Sequence, residues 1–210
     1  MPPQDTPAAT PMAPIAATLE ARRAFVLGNT RPQAPPHAPE LRLYLADEIT
    51  PIWRLTEEAL AEIGLPPPFW AFAWAGGQAL ARYLLDNPGV VAGRSVIDFA
   101  SGSGIVAIAE NAQANGVSVA FTDRNLLDAP PPRADVFLAG DICYEGPLAA
   151  QVVAWLRAAQ ADGATVLIGD PGRTYFPKTG MTQLAEYQVP TTRELEDMEV
   201  KRTRVWTFVD

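Results

Sequence analysis

Short apolar runs in the second half of the chain predict the core of an α/β sheet. The runs at 96–99, 134–140 and 164–169 are almost continuous in apolar residues, which is typical of strands buried on both faces of a parallel sheet. Two strand-like runs near the end, 186–191 and 201–209, are joined by an acidic connector. We therefore predict a doubly wound α/β sheet that is closed by a C-terminal antiparallel strand pair.

Helices and shorter strands flank these runs. Apolar residues at helical spacing predict helices at 50–64, 78–85 and 105–115, and the first of these begins with Thr-Pro and ends on Gly. Alternating apolar residues predict two short strands, at 41–45 and 117–121.

Length and composition favour one folded domain behind a short tail. The 210 residues are 48% hydrophobic, which is enough for one good-sized core. Residues 1–24 are rich in Ala and Pro and lack the basic start and apolar stretch of a secretory signal. We expect a disordered tail at 1–24 and a single domain at 25–210. The arginine pair in the tail would suit a mitochondrial presequence, but two acidic residues count against one.

The charge balance and the rare residue types exclude several function classes. A net charge of −8 argues against nucleic-acid and anionic-membrane partners, which require clustered Lys and Arg. The short basic run at 201–204 is interpreted as a solvated sheet edge that discourages strand addition. One cysteine cannot form an internal disulfide, and one histidine in a Pro-rich stretch leaves a metal little to bind. Because no apolar run reaches about 18 residues, the length of a membrane span, we expect a soluble protein. The single cysteine indicates the reducing cytoplasm, and we expect a monomer.

A Gly-rich turn follows the strand at 96–99. Asp98 lies inside that strand, and Gly102 and Gly104 follow in the turn. Glycines allow the backbone to approach a ligand, and the N–H groups of the next helix favour a carboxylate or a ribose hydroxyl. The turn lacks the third glycine of a dinucleotide fingerprint, and an acid inside the strand suits S-adenosylmethionine better. Asp98 would then bind the cofactor's ammonium group; the alternative is a helix cap or turn former.

A second acidic turn follows the strand at 134–140. It contains Asp141 and, three residues later, Tyr144. Ligands of open α/β sheets bind at the carboxyl ends of the strands, where a carboxylate and a phenol can flank an amine. The alternatives are a helix cap for Asp141 and a core aromatic for Tyr144. Cys143 is interpreted as buried filler, because no histidine lies near it in sequence to form a thiolate pair.

The turn after the third strand, DPGRTYFP, is dense in Pro and Gly and should help to wall the same site. Arg173 in this turn would bind a substrate carboxylate or pair with Asp170. We favour the pair.

An aromatic cluster precedes the helix at 78–85. We expect Phe69, Trp70 and Phe72 to pack under the sheet. Trp74 stands beside two glycines, and it is the member of the cluster that we expect to face a ligand.

Four sequence blocks together resemble the seven-β-strand protein-lysine methyltransferases, in particular the branch that modifies the electron-transfer flavoprotein β subunit. The resemblance runs from about residue 25 to the C-terminus and implies a Rossmann-like fold that transfers a methyl group from S-adenosylmethionine to a lysine ε-amine. By position, it implies that Asp98, Gly102 and Gly104 line the cofactor and that Trp74 packs against it. Asp141 and Tyr144 match the family's Asp-x-x-Tyr signature near the target amine. The four blocks are PFWAFAWAGGQALARYLL, IDFASGSGIVAIA, LAGDICYE and LIGDPGRTYFP.

One part of the family pattern is shorter in this chain. The family places two strands and three connections between positions 99 and 135, which need about 40 residues at least, and the chain has 35 there. We predict that one βα unit is missing, including the strand whose terminal acid holds the ribose hydroxyls. Asp123 follows the strand at 117–121 and either replaces that acid or, as we favour, lies near the adenine.

These features predict an S-adenosylmethionine-dependent N-methyltransferase that needs no metal. A deprotonated lysine would attack the sulfonium methyl group in line, with catalysis from positioning and desolvation. The missing unit supports a second hypothesis, a catalytically inactive methyltransferase-like protein that still binds the same partner. A third hypothesis is methylation of another protein or of a small amine.

Overall fold

The computed structural model describes residues 19–46, 69–100, 105–122 and 124–209. The described helices are α1 (Leu19–Asn29), α2 (Ala75–Asp86), α3 (Ile105–Ala114), α4 (Gly146–Ala161) and α5 (Arg193–Glu196). The described strands are β1 (Arg31–Gln33), β2 (Leu43–Leu45), β3 (Val96–Phe99), β4 (Val136–Gly140), β5 (Thr165–Asp170), β6 (Met181–Pro190) and β7 (Val200–Phe208).

One mixed sheet organises the fold, with the strand order β3-β4-β5-β7-β6. Strands β3, β4 and β5 are parallel, so their carboxyl ends lie at the same edge of the sheet. Strand β7 is antiparallel to β5, and β6 is antiparallel to β7. The predicted parallel core and the C-terminal antiparallel pair are both confirmed.

The core lies on both faces of β4 and β5. On one face Phe137, Val166 and Ile168 pack against the buried side of α4. On the other face Leu167 packs against Leu80 of α2. Because side chains alternate across a strand, a strand covered by helices on both faces must be apolar at every position. This is the physical basis of the continuous apolar runs.

Most of the elements predicted from the sequence are present. The helices predicted at 78–85 and 105–115 are confirmed as α2 and α3, and the short strand predicted at 41–45 is β2, which pairs with β1. The helix predicted at 50–64 lies outside the described residues. Helix α1 begins at Leu19, inside the segment 1–24 that was predicted as a tail, and residues 1–18 lie outside the described residues.

The strand predicted at 117–121 is wrong. Helix α3 ends in a Schellman motif, in which Gly116 has a φ of +66° and Val117 donates its N–H to the Ala112 carbonyl. Residues 117–121 then run as irregular backbone with Val119 and Phe121 exposed. A strand needs a hydrogen-bonded neighbour, and within 105–122 and 124–135 the structure has one α-helix, one 3-10 turn and no strand.

The interpretation of the basic run at 201–204 as a sheet edge is also wrong. The run lies in β7, which has β5 on one side and β6 on the other. Lys201 lies 3.7 Å from a Glu196 carboxylate oxygen, and Arg204 lies 2.7 Å from one of Glu186. Within the part of the chain that the structure describes, no helix has the length and apolar content for a membrane crossing.

Candidate active site

The carboxyl ends of the three parallel strands bring three acidic residues to one edge of the sheet. Asp98 lies in β3, Asp141 directly follows β4, and Asp170 ends β5. This is the edge where ligands of open α/β sheets bind. The structure confirms the predicted placement of these residues.

Asp141 sits on a sharp turn of the backbone. Its φ of 57° lies in the left-handed region, which a residue other than glycine adopts at a cost in conformational energy. Its N–H donates to the Gly169 carbonyl at 2.9 Å, which fixes the turn to β5. Its side chain does not cap the 3-10 turn that follows; Oδ2 instead accepts the Gly77 N–H of α2 at 3.0 Å.

The first turn of α2 approaches the strand ends so closely that it requires glycine. A Cβ atom on Gly76 would lie 2.6 Å from Asp141 Oδ2 and would overlap the Gly169 carbonyl oxygen. Without a side chain there, the N-terminus of the helix, which favours negative charge, lies directly on the Asp141 carboxylate.

The Arg173 guanidinium completes the surroundings of Asp141. Its Nη2 and Nε donate to Asp141 Oδ1 at 2.7 and 3.2 Å. The predicted side-chain pair with Asp170 is therefore wrong, because Asp170 Oδ1 accepts the backbone N–H groups of Gly172 and Arg173 instead. The Asp170 carboxylate shapes the loop, and the loop delivers Arg173 to Asp141.

Burial dominates the electrostatics of this cluster. It raises the pKa of Asp141 to about 6, and the attraction of Arg173 offsets only part of that effect. Burial also raises the pKa of Asp170. For Arg173 burial acts in the opposite direction, but the carboxylates of Asp141 and Glu196 outweigh it and raise the pKa. Asp141 is therefore ionised at neutral pH.

An aromatic rim, formed by Phe69, Trp74 and Tyr144, lies beside this cluster. The Trp74 ring faces the Arg173 guanidinium, whose carbon lies 5.6 Å from the ring centroid. The Phe69 ring lies 5.9 Å from Trp74 and 5.8 Å from Tyr144. Tyr144 is 52% exposed, so the alternative that it is a core aromatic is wrong.

The prediction that the other aromatics pack under the sheet is wrong as well. Phe69 is 44% exposed at the rim. Trp70 and Phe72 pack against Ala46 and Ala71, away from the sheet. Aromatic residues satisfy the same burial pattern on any apolar surface, so the sequence did not distinguish these two locations.

Asp98 occupies a different environment from Asp141. Its side chain is exposed, and no other described residue gives it a hydrogen bond or ion pair. The protein around it still limits its hydration, which raises its pKa to about 6. Gly102, Gly104 and Asp123, the other predicted cofactor residues in this region, lie outside the described residues.

Cys143 is buried filler, as predicted. The residue is fully buried. Burial first, and then the charge of Asp170, raise the pKa of its thiol to about 12. A thiol with such a pKa is not a nucleophile at neutral pH.

Glu196 is a member of the cluster that sequence reasoning missed. It lies on the short helix α5, between β6 and β7, and its side chain is 2% exposed. Its Oε1 accepts Arg173 Nη2 at 3.0 Å. The only signal in the sequence is the acidic character of the β6–β7 connector, and an acidic connector normally indicates a solvated loop.

Comparison with known proteins identifies the family. The chain is 34% identical to the electron transfer flavoprotein beta subunit lysine methyltransferase of Rattus norvegicus, over 81% of this chain and 77% of the rat protein. It is 32% identical to the protein of that name from Xenopus laevis, over 89% and 86% of the two chains. The chain belongs to the electron transfer flavoprotein beta subunit lysine methyltransferase family. No protein-family model matches it, and no solved structure matches it significantly.

Membership of this family confirms the predicted methyltransferase class and, with the mixed five-strand sheet, the Rossmann-like fold. Methyltransferases of this class generally use S-adenosylmethionine. The Asp98 carboxylate, exposed at the carboxyl edge of the sheet with a raised pKa, is chemically able to accept hydrogen bonds from the donors of such a ligand.

The comparison with the rat family member shows that this chain has fewer residues over the aligned length. The alignment is 199 positions long but covers 81% of the 210 residues, about 170, which leaves about 29 positions without a residue in this chain. That number matches in size one βα unit with its connections. It agrees with the absence of a strand from residues 105–122 and 124–135 of the structure.

Proposed function

We propose that this chain is an S-adenosylmethionine-dependent protein-lysine N-methyltransferase that acts, as a monomer, on the electron transfer flavoprotein β subunit. The observation that carries the proposal is the buried Asp141 carboxylate at the carboxyl edge of the sheet, beside an aromatic rim, in a chain whose relatives carry that name. We place the enzyme in the cytoplasm, because its single thiol favours a reducing compartment.

The cofactor side of the site is assigned to β3 and its surroundings. Asp98 would accept hydrogen bonds from the ammonium group of the cofactor, and Gly102 and Gly104 would allow the backbone to approach it. Trp74 and Asp123 are the remaining proposed cofactor residues. When bound, S-adenosylmethionine supplies an electrophilic methyl group on its sulfonium.

The acceptor side is assigned to Asp141 and Tyr144. With a pKa of about 6, Asp141 is ionised at neutral pH and can hold the lysine amine by a charge-assisted hydrogen bond. Tyr144 is exposed at the rim, where its phenol can orient the incoming side chain. The Asp141 carboxylate holds the amine in its ammonium form, and the amine must release a proton before its lone pair can attack the methyl group.

Methyl transfer to the recombinant flavoprotein β subunit tests this function. Purified chain and S-adenosylmethionine are incubated with the subunit, and intact mass is measured over time. We expect methyl groups to be added by the wild type and by Asp162→Asn, which changes an exposed acid. Asp141→Asn should lower the rate at least about 100-fold, the usual effect of losing a positioned acid–base group.

Calorimetry with S-adenosylmethionine separates the possible failures. Asp141→Asn should bind the cofactor as the wild type does. If the wild type binds cofactor but leaves the flavoprotein subunit unmodified, the proposed substrate is wrong. Full turnover by Asp141→Asn would show that this carboxylate has no part in the reaction.

A second candidate function is an inactive methyltransferase-like protein that binds the same partner. The observation in its favour is the absence of a strand from residues 105–122 and 124–135, where the family pattern predicts the unit that supplies the acid for the ribose hydroxyls. A folded sample that shows no cofactor binding but forms a stable complex with the flavoprotein β subunit would favour this function.

A further inference from the structure

The Arg173 guanidinium contacts three side chains and is largely shielded from solvent. It contacts Asp141 at 2.7 Å, Glu196 at 3.0 Å and the face of Trp74. Its side chain is 19% exposed. Three side chains that are distant in sequence therefore meet at one cation. A residue with such contacts can fix the relative positions of its partners.

Glu196 reaches the cluster from the far side of Arg173. Its Oε1 accepts the Arg173 N–H, and it also receives the Ala75 backbone N–H of α2 at a long 3.5 Å. Its Oε2 lies 3.7 Å from Lys201 Nζ. A buried carboxylate is costly unless it is paired, and these contacts hold both of its oxygens.

The lone pairs of Asp141 are nearly all occupied. Oδ1 accepts two N–H groups of Arg173, and Oδ2 accepts the Gly77 N–H. A carboxylate offers about four acceptor positions, so one on Oδ2 is left for a further donor. Arg173 and Gly77 together fix the carboxylate plane and thereby determine where that remaining position lies.

The charges around Asp141 leave room for one more cation. The charged groups that act on it are Arg173 from the loop after β5 and Glu196 from α5, with Lys201 of β7 behind Glu196. Asp170 at the end of β5 acts on Arg173, and the Cys143 thiol borders both aspartates. The neutral thiol adds no charge. Three carboxyl groups and two cations therefore meet here, and Oδ2 of Asp170 is buried with no hydrogen-bond partner among the described residues. With all three carboxyl groups ionised, a protonated amine would balance this cluster.

We propose that Arg173 and Glu196 are positioning residues for the acceptor lysine: Glu196 anchors the Arg173 guanidinium, and Arg173 aligns the Asp141 carboxylate for the amine. The inference rests on the proposed methyl transfer to lysine. Neither residue touches the reacting atoms in this scheme, and both act through Asp141.

Opposite shifts in the pH profile distinguish positioning from a merely structural role. Without Arg173, only the hydrogen bond from the Gly77 N–H opposes burial and the charge of Glu196, so the pKa of Asp141 rises further. The acidic limb of the kcat/KM profile should therefore move to higher pH in Arg173→Met, and less so in Arg173→Lys. Glu196→Gln keeps an oxygen acceptor for Arg173 but removes a negative charge, so its acidic limb should move to lower pH.

The experiment measures methylation of the flavoprotein β subunit by five proteins across pH: wild type, Arg173→Met, Arg173→Lys, Glu196→Gln and the control Arg193→Met. Arg193 pairs with Glu199 on the surface, and both side chains are 72% exposed, so its loss should change kcat/KM less than about twofold. Arg173→Met should lose about 100-fold in kcat/KM, the usual effect of misplacing a catalytic group, and Arg173→Lys should recover about tenfold of it. Cofactor affinity should fall much less than kcat/KM in every variant, because Asp98 lies outside the cluster and Arg173 reaches the proposed cofactor side only through the ring of Trp74.

The outcomes separate this inference from the proposed function. Opposite limb shifts, with partial rescue by Lys, support it. Two results with an active wild type would refute positioning while methyl transfer stands. In the first, kcat/KM of Arg173→Met equals that of Arg193→Met. In the second, Arg173→Met is slow, but the acidic limb of its pH profile is unmoved and Arg173→Lys restores no activity. A cofactor affinity that falls in parallel with kcat/KM refutes it too. A folded wild type that methylates nothing overturns both proposals. If Arg173→Met fails to fold, the acidic limbs of the kcat/KM profiles of Arg173→Lys and Glu196→Gln still support or refute the positioning role.

Discussion

Replacing Gly76 with alanine tests whether the start of α2 is pressed onto the acceptor carboxylate. The added Cβ would lie 2.6 Å from Asp141 Oδ2 and would overlap the Gly169 carbonyl oxygen. Gly169 cannot move aside easily, because β5 is hydrogen-bonded to β4 on one side and to β7 on the other. The neighbouring Gly77 has no atom within 4 Å of the equivalent Cβ position, which makes Gly77→Ala a matched control in the same helical turn.

The magnitude follows from two opposing effects. Overpacking a close-packed contact costs about 1–3 kcal/mol, and we take about 3 kcal/mol because the contact is with central backbone. Alanine is more favourable than glycine in a helix by about 1 kcal/mol. Gly76→Ala should therefore destabilise the chain by about 2 kcal/mol, whereas Gly77→Ala should stabilise it by about 0.5–1 kcal/mol.

Urea unfolding followed by circular dichroism measures both variants, with equal denaturant slopes as the check on two-state behaviour. Thermal midpoints should fall by about 4–8 °C for Gly76→Ala and rise by about 1–4 °C for Gly77→Ala. Gly76→Ala should also lower methyl transfer, since its Cβ displaces the Asp141 side chain. Equal stability of the two variants, within about 0.5 kcal/mol, would refute the close approach of helix and strand ends.

Three further predictions test other parts of the structure. Asp98→Asn should make the ligand-free chain more stable at about pH 7.5 and abolish cofactor binding. The folded-state pKa of Asp98, about 6, lies above the unfolded value of about 4, so the wild type loses stability as pH rises through that window. The stability gained by Asp98→Asn should therefore vanish near pH 4 in urea titrations. Cys143 should not react with a thiol reagent at about pH 7.5 until the chain is unfolded; rapid labelling of the native protein would contradict its burial. Val119→Lys should change the unfolding free energy by less than about 0.5 kcal/mol because the side chain is exposed, and a loss of about 2 kcal/mol or more would restore the rejected strand at 117–121.

The sequence by itself determined the layers of the fold and the sheet edge that carries the chemistry. Buried parallel strands must be apolar at every position, so β4 and β5 could be predicted from the sequence without knowing which strands they pair with. An acid directly after such a strand lies at its carboxyl end by chain direction alone. Asp98 and Asp141 were therefore placed at the right edge, and the four blocks indicated the right family.

The sequence did not determine which groups meet at that edge. Gly77 donates to Asp141 across 64 positions, and Arg173 does so across 32. Neither spacing leaves a periodic signal, so Arg173 was assigned to its near neighbour Asp170. Glu196 was missed for the same reason, because its burial depends on where the β6–β7 connection folds.

The same limit explains the two errors in the sheet. Residues 117–121 alternate as a strand does, but a strand exists only where another edge accepts its hydrogen bonds. The basic run of β7 looks like a solvated edge, yet β6 folds back and covers it. The local pattern of apolar residues indicates burial and the repeat of a helix or strand, which are properties of a single segment. Pairing depends on which segments meet in space, and only the tertiary structure decides that.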